Sequence, residues 1–178
     1  MQQKRRRVAA RSMLLRRSAV VVPSATLVGI AERIWKLPKK RIHHIPNGID
    51  CARFAPPAER SNSEALVIGT VAALRPEKRI DRLIRAFSAT HLERPSRLVI
   101  VGDGPERINL EDLAGELGLG NRVIFVGSQL DTAPFYKSFD IFALSSDTEQ
   151  MPYTVIEAMA SGCAIAATDV GDIQKMVS

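Results

Sequence analysis

Two glutamates flank the start of a helical pattern near the end of this 178-residue sequence. Glu149 and Glu157 lie eight positions apart within SSDTEQMPYTVIEAMASG, residues 145–162. Pro152 has the fixed φ angle that suits a first helical position, and Gly162 suits a left-handed helix end. Helix N-termini favour anions, and carboxylates accept hydrogen bonds from hydroxyl groups. The pattern therefore indicates a ligand with phosphate and hydroxyl groups, such as a nucleotide sugar.

A second loop supplies positive charge. The stretch VAALRPEK, residues 71–78, places Arg75 and Lys78 directly after an apolar run. Either side chain would stabilise a diphosphate as it leaves, which is the kind of electrostatic contribution that dominates many transfer reactions. Taken alone, each motif also fits an ordinary surface, since an exposed helix glutamate is usually only solvated and proline commonly opens a helix.

A third loop is rich in glycine. VGDGPER, residues 101–107, contains Gly102 and Gly104, which would let the backbone approach a ligand closely. Arg107 stands where a dinucleotide-binding fingerprint needs its third glycine. The loop is therefore not an NAD motif, and we interpret it as a nucleotide-facing turn.

Short apolar runs alternate with helical patterns from Leu66 onward. Runs that are apolar throughout are typical of strands buried on both faces of a parallel sheet. The alternation predicts an α/β fold with a doubly wound, Rossmann-like parallel sheet. The predicted strands are Leu66 to Val71, Arg97 to Val101, Arg122 to Val126, Ile141 to Leu144 and Ala164 to Ala167. The predicted helices are Arg79 to Thr90, Glu106 to Leu117, Thr132 to Phe139 and Pro152 to Ala160.

This architecture would bring the three loops together. Ligands of open α/β sheets bind at the carboxyl ends of the strands, where all three loops are expected. The spacing of Ile80, Leu83, Ile84 and Phe87 predicts one buried face on the first of these helices. On the last of them, the buried stripe is expected to consist of Val155, Ile156 and Met159.

The first 64 residues show the same alternation of helix and strand patterns, but in shorter segments. Expected there are a helix ending in Arg11 to Arg17, a strand at Ala19 to Val22, a helix at Ala25 to Leu37 and a strand at Arg41 to Ile45. The polar stretch RFAPPAERSNS, residues 53–63, has linker composition. We therefore expect the tail of an N-terminal Rossmann-like domain at 1–46, a linker at 47–64 and an incomplete ligand-binding domain at 65–178. The chain would then be a fragment truncated at both ends.

The net charge of +6 is concentrated in the first segment. Residues 1–50 hold twelve Lys and Arg against Glu32 and Asp50, so the remaining 128 residues sum to −4. Such a segment suits an anionic lipid surface or nucleic acid, but a solvated helix face is the favoured explanation, because no aromatic residues interleave the arginines. Cys51 and Cys163 lack metal-ligand spacing, and no apolar run is long enough to span a bilayer. A cytoplasmic protein is expected, with peripheral membrane contact through the basic segment.

Five ordered blocks of the sequence resemble the C-terminal half of the GT4 family of retaining glycosyltransferases, which have the two-domain GT-B fold. The resemblance covers about residues 41–178. The blocks are IPNGID at 45–50, VAALRPEKRIDRLIRAF at 71–87, LVIVGDGPER at 98–107, LEDLAGELGLGNRVIFVG at 110–127 and EQMPYTVIEAMASGCAIAATDVGD at 149–172.

The resemblance implies a role for each matching position. Glu149 would lie near the transferred sugar, Glu157 would hold the ribose hydroxyls, and Lys78 would bind the donor diphosphate; Glu149 and Lys78 would be the catalytic pair. The turn at Gly102 to Pro105 and the loop Gly127 to Leu130 match the family's phosphate or base contacts. The resemblance implies no metal and no cofactor, and the sequence has no D-x-D pair.

Two positions depart from the family pattern. The family's arginine five residues before the lysine is Ala73 here, and Arg75 is the candidate replacement. Gln150, Met151 and Pro152 stand in the donor-binding loop in place of the usual glycine, aromatic residue and glycine. Because proline lacks an N–H, one backbone donor to the ligand is lost.

The resulting hypothesis is a parent enzyme that transfers a sugar from a nucleotide diphosphate sugar to an acceptor, with retention of configuration. The present chain would be the donor-binding part and would bind nucleotide sugars weakly without turnover. A lipid-linked or polysaccharide acceptor is expected for such a family. The alternatives are a non-catalytic binding or interaction module of the same fold and, less favoured, a basic nucleic-acid module.

Overall fold

The computed structural model describes residues 5–59, 64–90 and 92–177, with seven strands and seven α-helices within those ranges. The strands are β1 Val20–Val22, β2 Ile42–His44, β3 Leu66–Val71, β4 Ser96–Val101, β5 Val123–Gly127, β6 Ile141–Leu144 and β7 Ala164–Ala167. The helices are α1 Arg5–Leu15, α2 Ala25–Arg33, α3 Ile80–Ala89, α4 Arg107–Glu116, α5 Ala133–Ser138, α6 Tyr153–Ala160 and α7 Ile173–Val177.

The described chain divides into two compact units. Unit 1 comprises the described residues of 1–48, 148–151 and 169–178, and unit 2 comprises those of 49–147 and 152–168. Among the described residues, no helix combines the length and apolar character needed to cross a membrane.

Unit 2 contains a five-stranded parallel sheet in the order β5-β4-β3-β6-β7. β3 pairs with β4 from Leu66 opposite Ser96 to Val71 opposite Val101, and with β6 through Ile68 opposite Ile141. The chain adds strands on one side of β3 and then returns to add strands on the other. This order confirms the predicted doubly wound α/β fold and places its switch point between β3 and β6.

The apolar runs form elements because both faces of the sheet are covered. Leu98 and Ile100 of β4 are completely buried, as an all-apolar strand in a parallel sheet should be. On α3, Ile80, Ile84 and Phe87 are buried and Leu83 packs partly against the same cluster, which confirms the predicted face. These residues join one core with parts of α4 and β5.

The helix boundaries are closest to the prediction in unit 2, and one helix of unit 1 is much shorter than expected. α2 ends at Arg33, whereas the pattern predicts a helix to Leu37. Leu37 precedes Pro38, and a residue before proline is disfavoured in the helical region. Lys36 takes a left-handed φ of 56° instead, and the chain turns so that Trp35 and Leu37 become buried.

The core of unit 1 is built on that turn. Ala31, Trp35 and Leu37 form a cluster against which side chains of α1, α2 and the short parallel sheet β1-β2 pack. The guanidinium of Arg11 lies 4.9 Å from the centre of the Trp35 ring, a cation–π arrangement. The arginine-rich segment is therefore partly built into a folded unit.

The buried face of α6 differs from the prediction. Val155 and Ala158 are completely buried, but Met159 is 42% exposed, so its assignment to the buried stripe is wrong. Residues three apart share a helix face, whereas the residue directly after Ala158 is rotated about 100° away. The helix consequently buries a small residue where a large one is expected.

The predicted domain boundaries at 1–46, 47–64 and 65–178 stay a prediction. Residues 60–63 of the predicted linker lie outside the described residues. Within the described part, Phe54 is 5% exposed and stacks edge-on against Tyr136, at 5.8 Å between ring centres. Ser161 Oγ donates a hydrogen bond of 3.0 Å to the Phe54 carbonyl oxygen.

Candidate functional site

The loops that follow β3 and β6 are joined at the switch point of the sheet. The backbone amide of Asp147 donates to the carbonyl oxygen of Glu77 over 2.9 Å. Ser145 Oγ donates to the carbonyl oxygen of Lys78 over 2.9 Å. Both bonds act on the backbone of a short 3-10 turn, Pro76–Lys78, so they set the path of the segment that carries Lys78.

Ion pairs reinforce this junction. Asp147 pairs with Arg82, and Arg79 Nη1 lies 3.3 Å from Asp147 Oδ2. Arg79 also pairs with Asp81 at 3.0 Å and has a left-handed φ of 49°. The guanidinium groups of Arg82 and Arg79 hold the pKa of Asp147 below its ordinary value. These side chains are 37–46% exposed, so water weakens their energetic contribution.

The two candidate cations lie on this fastened loop. Arg75 is exposed and is the last extended residue before the 3-10 turn, while Lys78 is half-buried. Ala73, which stands where the family pattern has arginine, faces the cavity described next. Whether Arg75 replaces that arginine stays a prediction.

A cavity of about 300 Å³ opens at the carboxyl ends of β3 and β4. This volume is at the lower end of the usual range for small-molecule sites, about 300–1,000 Å³. Its wall combines the ends of the two strands, the loop after β5 and the second residue of α6. The lining residues are Val71, Ala72, Ala73, Val101, Gly102, Asp103, Ser128, Gln129, Thr132 and Thr154.

The glycine-rich loop is shaped by neighbouring backbone. Gly102 has a φ of 134°, and a Cβ there would lie 1.9 Å from the carbonyl oxygen of Ala72. A Cβ on Gly104 would lie 2.5 Å from the carbonyl oxygen of Leu74. Both glycines are therefore required by the close approach of the loops after β3 and β4. Gly102 also lines the cavity, while the ligand-binding role of either glycine stays a prediction.

Helix α6 begins beside the cavity. Pro152 is its N-cap, with φ −70° and ψ 129°, and Tyr153 is the first helical residue. The prediction placed the proline one position further into the helix. Pro152 contributes no side-chain cap to the first amides, and Thr154 lines the cavity. The amino end of α6 therefore supplies partial positive charge near the cavity.

Glu157 lies farther along α6 and is half-buried. Burial, and then a hydrogen bond to Glu157 and the charge of Glu157, raise the pKa of the Tyr136 hydroxyl. The ion pair with Asp131, 2.7 Å long, raises the pKa of Arg53, and Glu157 adds a smaller contribution. The carboxylate of Glu157 therefore has a phenol and a guanidinium in its electrostatic neighbourhood.

Glu149, Gln150 and Met151 belong to unit 1. Ser24 Oγ donates to Gln150 Oε1 over 3.0 Å, and Asn47 Nδ2 donates to the Met151 carbonyl oxygen over 2.7 Å. The amide of Asn47 also donates to Met151 Sδ over 3.4 Å. These contacts anchor two of the three loop positions that depart from the family pattern.

A turn near the end of the chain closes on the same loop within unit 1. Gly171 packs so tightly that a Cβ there would lie 2.5 Å from the carbonyl oxygen of Glu149. The next residue, Asp172, accepts hydrogen bonds from the amides of Ala25 and Thr26, at 2.5 and 2.9 Å. The loop of Glu149 is thereby held by segments more than 100 residues apart in the sequence.

Some of the predicted site residues line the cavity and others lie outside its lining. Gly102 lines the cavity, and the residues directly after Gly127 do so as well, whereas Lys78, Arg75, Glu157 and Leu130 are outside its described lining. Leu130 is fully exposed. Their ligand contacts stay predictions. In the part of the chain that the structure describes, no group of three or more His, Cys, Asp and Glu side chains could hold a metal ion.

Several residues of this region were missed by the sequence reasoning. Thr132 and Thr154 line the cavity, and the bonds by which Ser145 and Asp147 hold the Lys78 loop were not predicted. Asp103 also lines the cavity, but it lies within the predicted turn Gly102 to Pro105. Ser145 and Asp147 follow the end of β6 within three residues, which is the signal that could have found them. Thr132 and Thr154 lack that signal, because they lie at the starts of α5 and α6.

Residues 53–178 match the family model described as glycosyl transferases group 1. The chain belongs to this family. It is 35% identical over 150 residues to the lipopolysaccharide core biosynthesis glycosyltransferase LpsE of Rhizobium meliloti, covering 79% of this chain and 42% of LpsE. It is 32% identical over 147 residues to the GDP-mannose-dependent alpha-mannosyltransferase of Mycobacterium tuberculosis, covering 78% of this chain and 36% of that enzyme.

Solved structures agree on the fold of this group 1 chain. Anabaena HepE in complex with UDP superimposes with a TM-score of 0.88 at 22% identity, covering 99% of this chain and 52% of HepE. Together with the parallel sheet, this match confirms the GT-B type of α/β fold. The chain spans about half the length of HepE and less than half the length of the two curated relatives.

Proposed function

We propose that the parent protein transfers a sugar from a nucleotide diphosphate sugar to an acceptor with retention, and that this chain carries donor binding. The observation that carries the proposal is the cavity at the carboxyl ends of β3 and β4, where the amino end of α6 contributes Thr154. In open α/β sheets this edge is where nucleotides bind. Membership of the group 1 family supports the same chemistry and does not favour a non-catalytic module.

The site chemistry can be assigned to individual groups. The amino end of α6 and Lys78 supply positive charge for the diphosphate, whose negative charge grows as the sugar–phosphate bond breaks. Glu157 accepts hydrogen bonds from the ribose hydroxyls, because an ionised carboxylate is an acceptor only. Glu149 acts near the transferred sugar. We propose no metal and no cofactor for this reaction.

The loop of Gln150, Met151 and Pro152, which departs from the family pattern, is compatible with donor binding. Pro152 removes one backbone donor, but Gln150, which replaces a flexible glycine, and Met151, which replaces an aromatic residue, are hydrogen-bonded to Ser24 and Asn47. Anchoring of this kind reduces the conformational freedom that a ligand would otherwise have to restrict. We infer that the loop is held in place by side-chain contacts where the family pattern uses glycine.

Donor binding is tested by isothermal titration of the chain with UDP, GDP, ADP and their sugar conjugates. We expect weak binding of one base, with affinity about tenfold lower in Lys78→Ala and in Glu157→Gln, the usual effect of losing a hydrogen bond to a charged group. Lys137→Ala removes the same charge from an exposed position on α5 and should bind like the wild type. Failure of every nucleotide to bind would overturn the proposal for this chain.

Retention is tested on the full-length parent. The anomeric configuration of the product can be compared with that of the donor by NMR before spontaneous equilibration. We expect the donor configuration to be preserved. An inverted product would contradict the retaining mechanism while leaving donor binding intact.

The acceptor is proposed to be lipid-linked or a polysaccharide. The similarity to LpsE, a lipopolysaccharide core biosynthesis glycosyltransferase, supports this class. The basic first segment supports contact with a membrane surface from the cytoplasmic side, since Arg5, Arg6, Arg7, Arg16 and Arg17 are all exposed. Co-flotation with anionic vesicles but not with neutral vesicles is expected. Equal co-flotation with anionic and with neutral vesicles would contradict the membrane proposal.

A further inference from the structure

Tyr136 is an aromatic residue at the centre of unit 2 and carries a polar group. It lies on α5 and is completely buried. Its ring centre is 5.8 Å from that of Phe54, 5.9 Å from that of Phe139 and 5.7 Å from that of Phe142. These distances are typical of favourable aromatic packing. Packing within the core therefore explains why an aromatic ring is present at this position.

Packing within the core does not explain why this residue carries a hydroxyl group. Tyr136 Oη is buried, and no acceptor among the described residues stands in full hydrogen-bond geometry to it. Buried tyrosine hydroxyls nearly always have a partner, because an unbonded O–H loses its contact with water and gains nothing in return. Phenylalanine would fill the same space without that cost. The hydroxyl can have a function only if a nearby group accepts a hydrogen bond from it.

Glu157 is the acceptor that the surroundings offer. Burial raises the pKa of Tyr136, and a hydrogen bond to the Glu157 carboxylate and the charge of that carboxylate raise it further. The phenol therefore keeps its proton at neutral pH and remains a hydrogen-bond donor. On the exposed side, Arg53 is engaged by Asp131 at 2.7 Å, so its guanidinium is already shared.

We propose that Tyr136 is a positioning residue for Glu157, donating its hydroxyl hydrogen to one carboxylate oxygen and so orienting that carboxylate before a nucleotide binds. This inference rests on the proposed function, in which Glu157 binds the ribose. A carboxylate offers about four acceptor positions. With one taken by Tyr136, the others remain for the two adjacent hydroxyls of a ribose.

The physical benefit is the fixed orientation of a flexible side chain. Glu157 is half-buried on the surface of α6, where a glutamate samples several rotamers. A donor held rigidly by three aromatic rings would select one rotamer and present the carboxylate to the ligand in a constant direction. Sites whose ligating groups are supported in this way bind with a smaller loss of conformational freedom.

The first experiment compares affinities for a ribonucleoside diphosphate and its 2′,3′-dideoxy analogue by isothermal titration of the full chain. Tyr136→Phe removes only the hydroxyl and keeps the ring contacts. We expect affinity for the ribonucleotide to fall about tenfold and affinity for the dideoxy analogue to stay unchanged. In a Glu157→Gln background, Tyr136→Phe should cause a much smaller further loss.

Tyr153→Phe is the matched control. Tyr153 is 52% exposed on α6, four residues before Glu157, and removal of its hydroxyl should leave both affinities at their wild-type values. Equal losses for the ribonucleotide and the dideoxy analogue in Tyr136→Phe would show a general structural effect and overturn the inference. Unchanged affinities would overturn it as well, while leaving the proposed function intact.

The second experiment does not depend on a nucleotide. A double-mutant cycle of Tyr136→Phe and Glu157→Gln, measured by urea unfolding, should give non-additive changes in the free energy of unfolding, because contacting groups are coupled. Additive changes would overturn the contact even if nucleotides bind. If no nucleotide binds the wild type, the proposed function fails, and the role of the pair in ribose binding fails with it.

Discussion

Ser145 Oγ donates a hydrogen bond of 2.9 Å to the carbonyl oxygen of Lys78. The two residues are 67 positions apart, and the bond joins the end of β6 to the loop after β3. Ser145 is 7% exposed, so water does not readily replace it as the partner of that carbonyl. The position of a candidate diphosphate-binding lysine thus depends on a serine in the neighbouring strand end.

Replacement of Ser145 by alanine tests this dependence. We expect Ser145→Ala to lower the free energy of unfolding by about 1 kcal/mol, because a partly buried carbonyl loses its partner. Nucleotide affinity should fall by a few-fold as the Lys78 loop loosens. Urea unfolding and titration calorimetry measure the two effects.

Ser138→Ala is the control for that variant. Ser138 Oγ donates to the Phe135 carbonyl oxygen over 2.7 Å at an exposed site, where water can take its place. Its removal should change stability by less than about 0.5 kcal/mol. Equal effects of the two serine variants would contradict a specific role for Ser145.

The ion pairs of Asp147 predict a pH-dependent stability. Arg82 and Arg79 hold the pKa of Asp147 below its ordinary value of 3.8, so the folded state favours the ionised carboxylate. The resulting stability is present above pH 3.8 and is lost as the pH falls through the folded pKa. Asp147→Asn should therefore be less stable than the wild type at neutral pH and match it in strong acid.

Thermal unfolding of Asp147→Asn between neutral pH and strong acid measures this difference. High salt should reduce it, because the side chains are partly exposed. Asp112→Asn removes the same charge from an exposed position on α4 and should show no comparable pH dependence. A stability difference that persists unchanged into strong acid would rule out the ion pairs as its cause.

Asp172 stabilises the amino end of α2. Its carboxylate accepts hydrogen bonds from the amides of Ala25 and Thr26 and from the Thr26 hydroxyl. Asp172→Ala should lower the free energy of unfolding by about 1–2 kcal/mol, the usual effect of losing such a cap. Asp169→Ala, at an exposed position three residues earlier, is the control and should have little effect.

The Asp172 contribution also has a predicted pH dependence. Burial acts to raise the pKa of Asp172, but the hydrogen bonds from Thr26 and Ala25 outweigh it and the pKa is lowered from 3.8. The capping contribution is thus present above that value and lost as the pH falls through the folded pKa. Denaturant unfolding at several pH values checks this. A loss that appears on raising the pH would contradict the assignment.

Gly69 in the middle of β3 is required by packing. A Cβ at this position would lie 2.3 Å from the ring of Phe139, which is completely buried. Gly69→Ala should therefore destabilise the protein by about 1–3 kcal/mol through overpacking. Gly115 in α4 has no atom within 4 Å of such a Cβ, and Gly115→Ala should raise stability by about 0.5–1 kcal/mol. Urea unfolding of both variants measures the two changes in stability. A loss of stability in both variants would contradict the packing explanation.

Local pattern was sufficient for most elements of unit 2. β3, β6 and β7 begin and end where the apolar runs predict. The failures occur where tertiary contacts outweigh the pattern. α2 stops at Arg33 because the chain turns to bury Trp35 and Leu37, and α6 buries Ala158 while leaving Met159 exposed.

The types and order of the elements, the loops that carry Lys78 and Gly102 and the helix that carries Glu157 follow from the sequence, because periodicity and turn chemistry are local properties of the chain. The strand order, the bond from Ser145 to Lys78 and the capping of α2 by Asp172 do not, since Asp172 is 146 and 147 residues away from its partners. Contacts of that kind depend on how distant segments meet in the folded chain, and no local pattern records them. The burial of the Tyr136 hydroxyl belongs to the same class, since it arises only when the core around it is assembled.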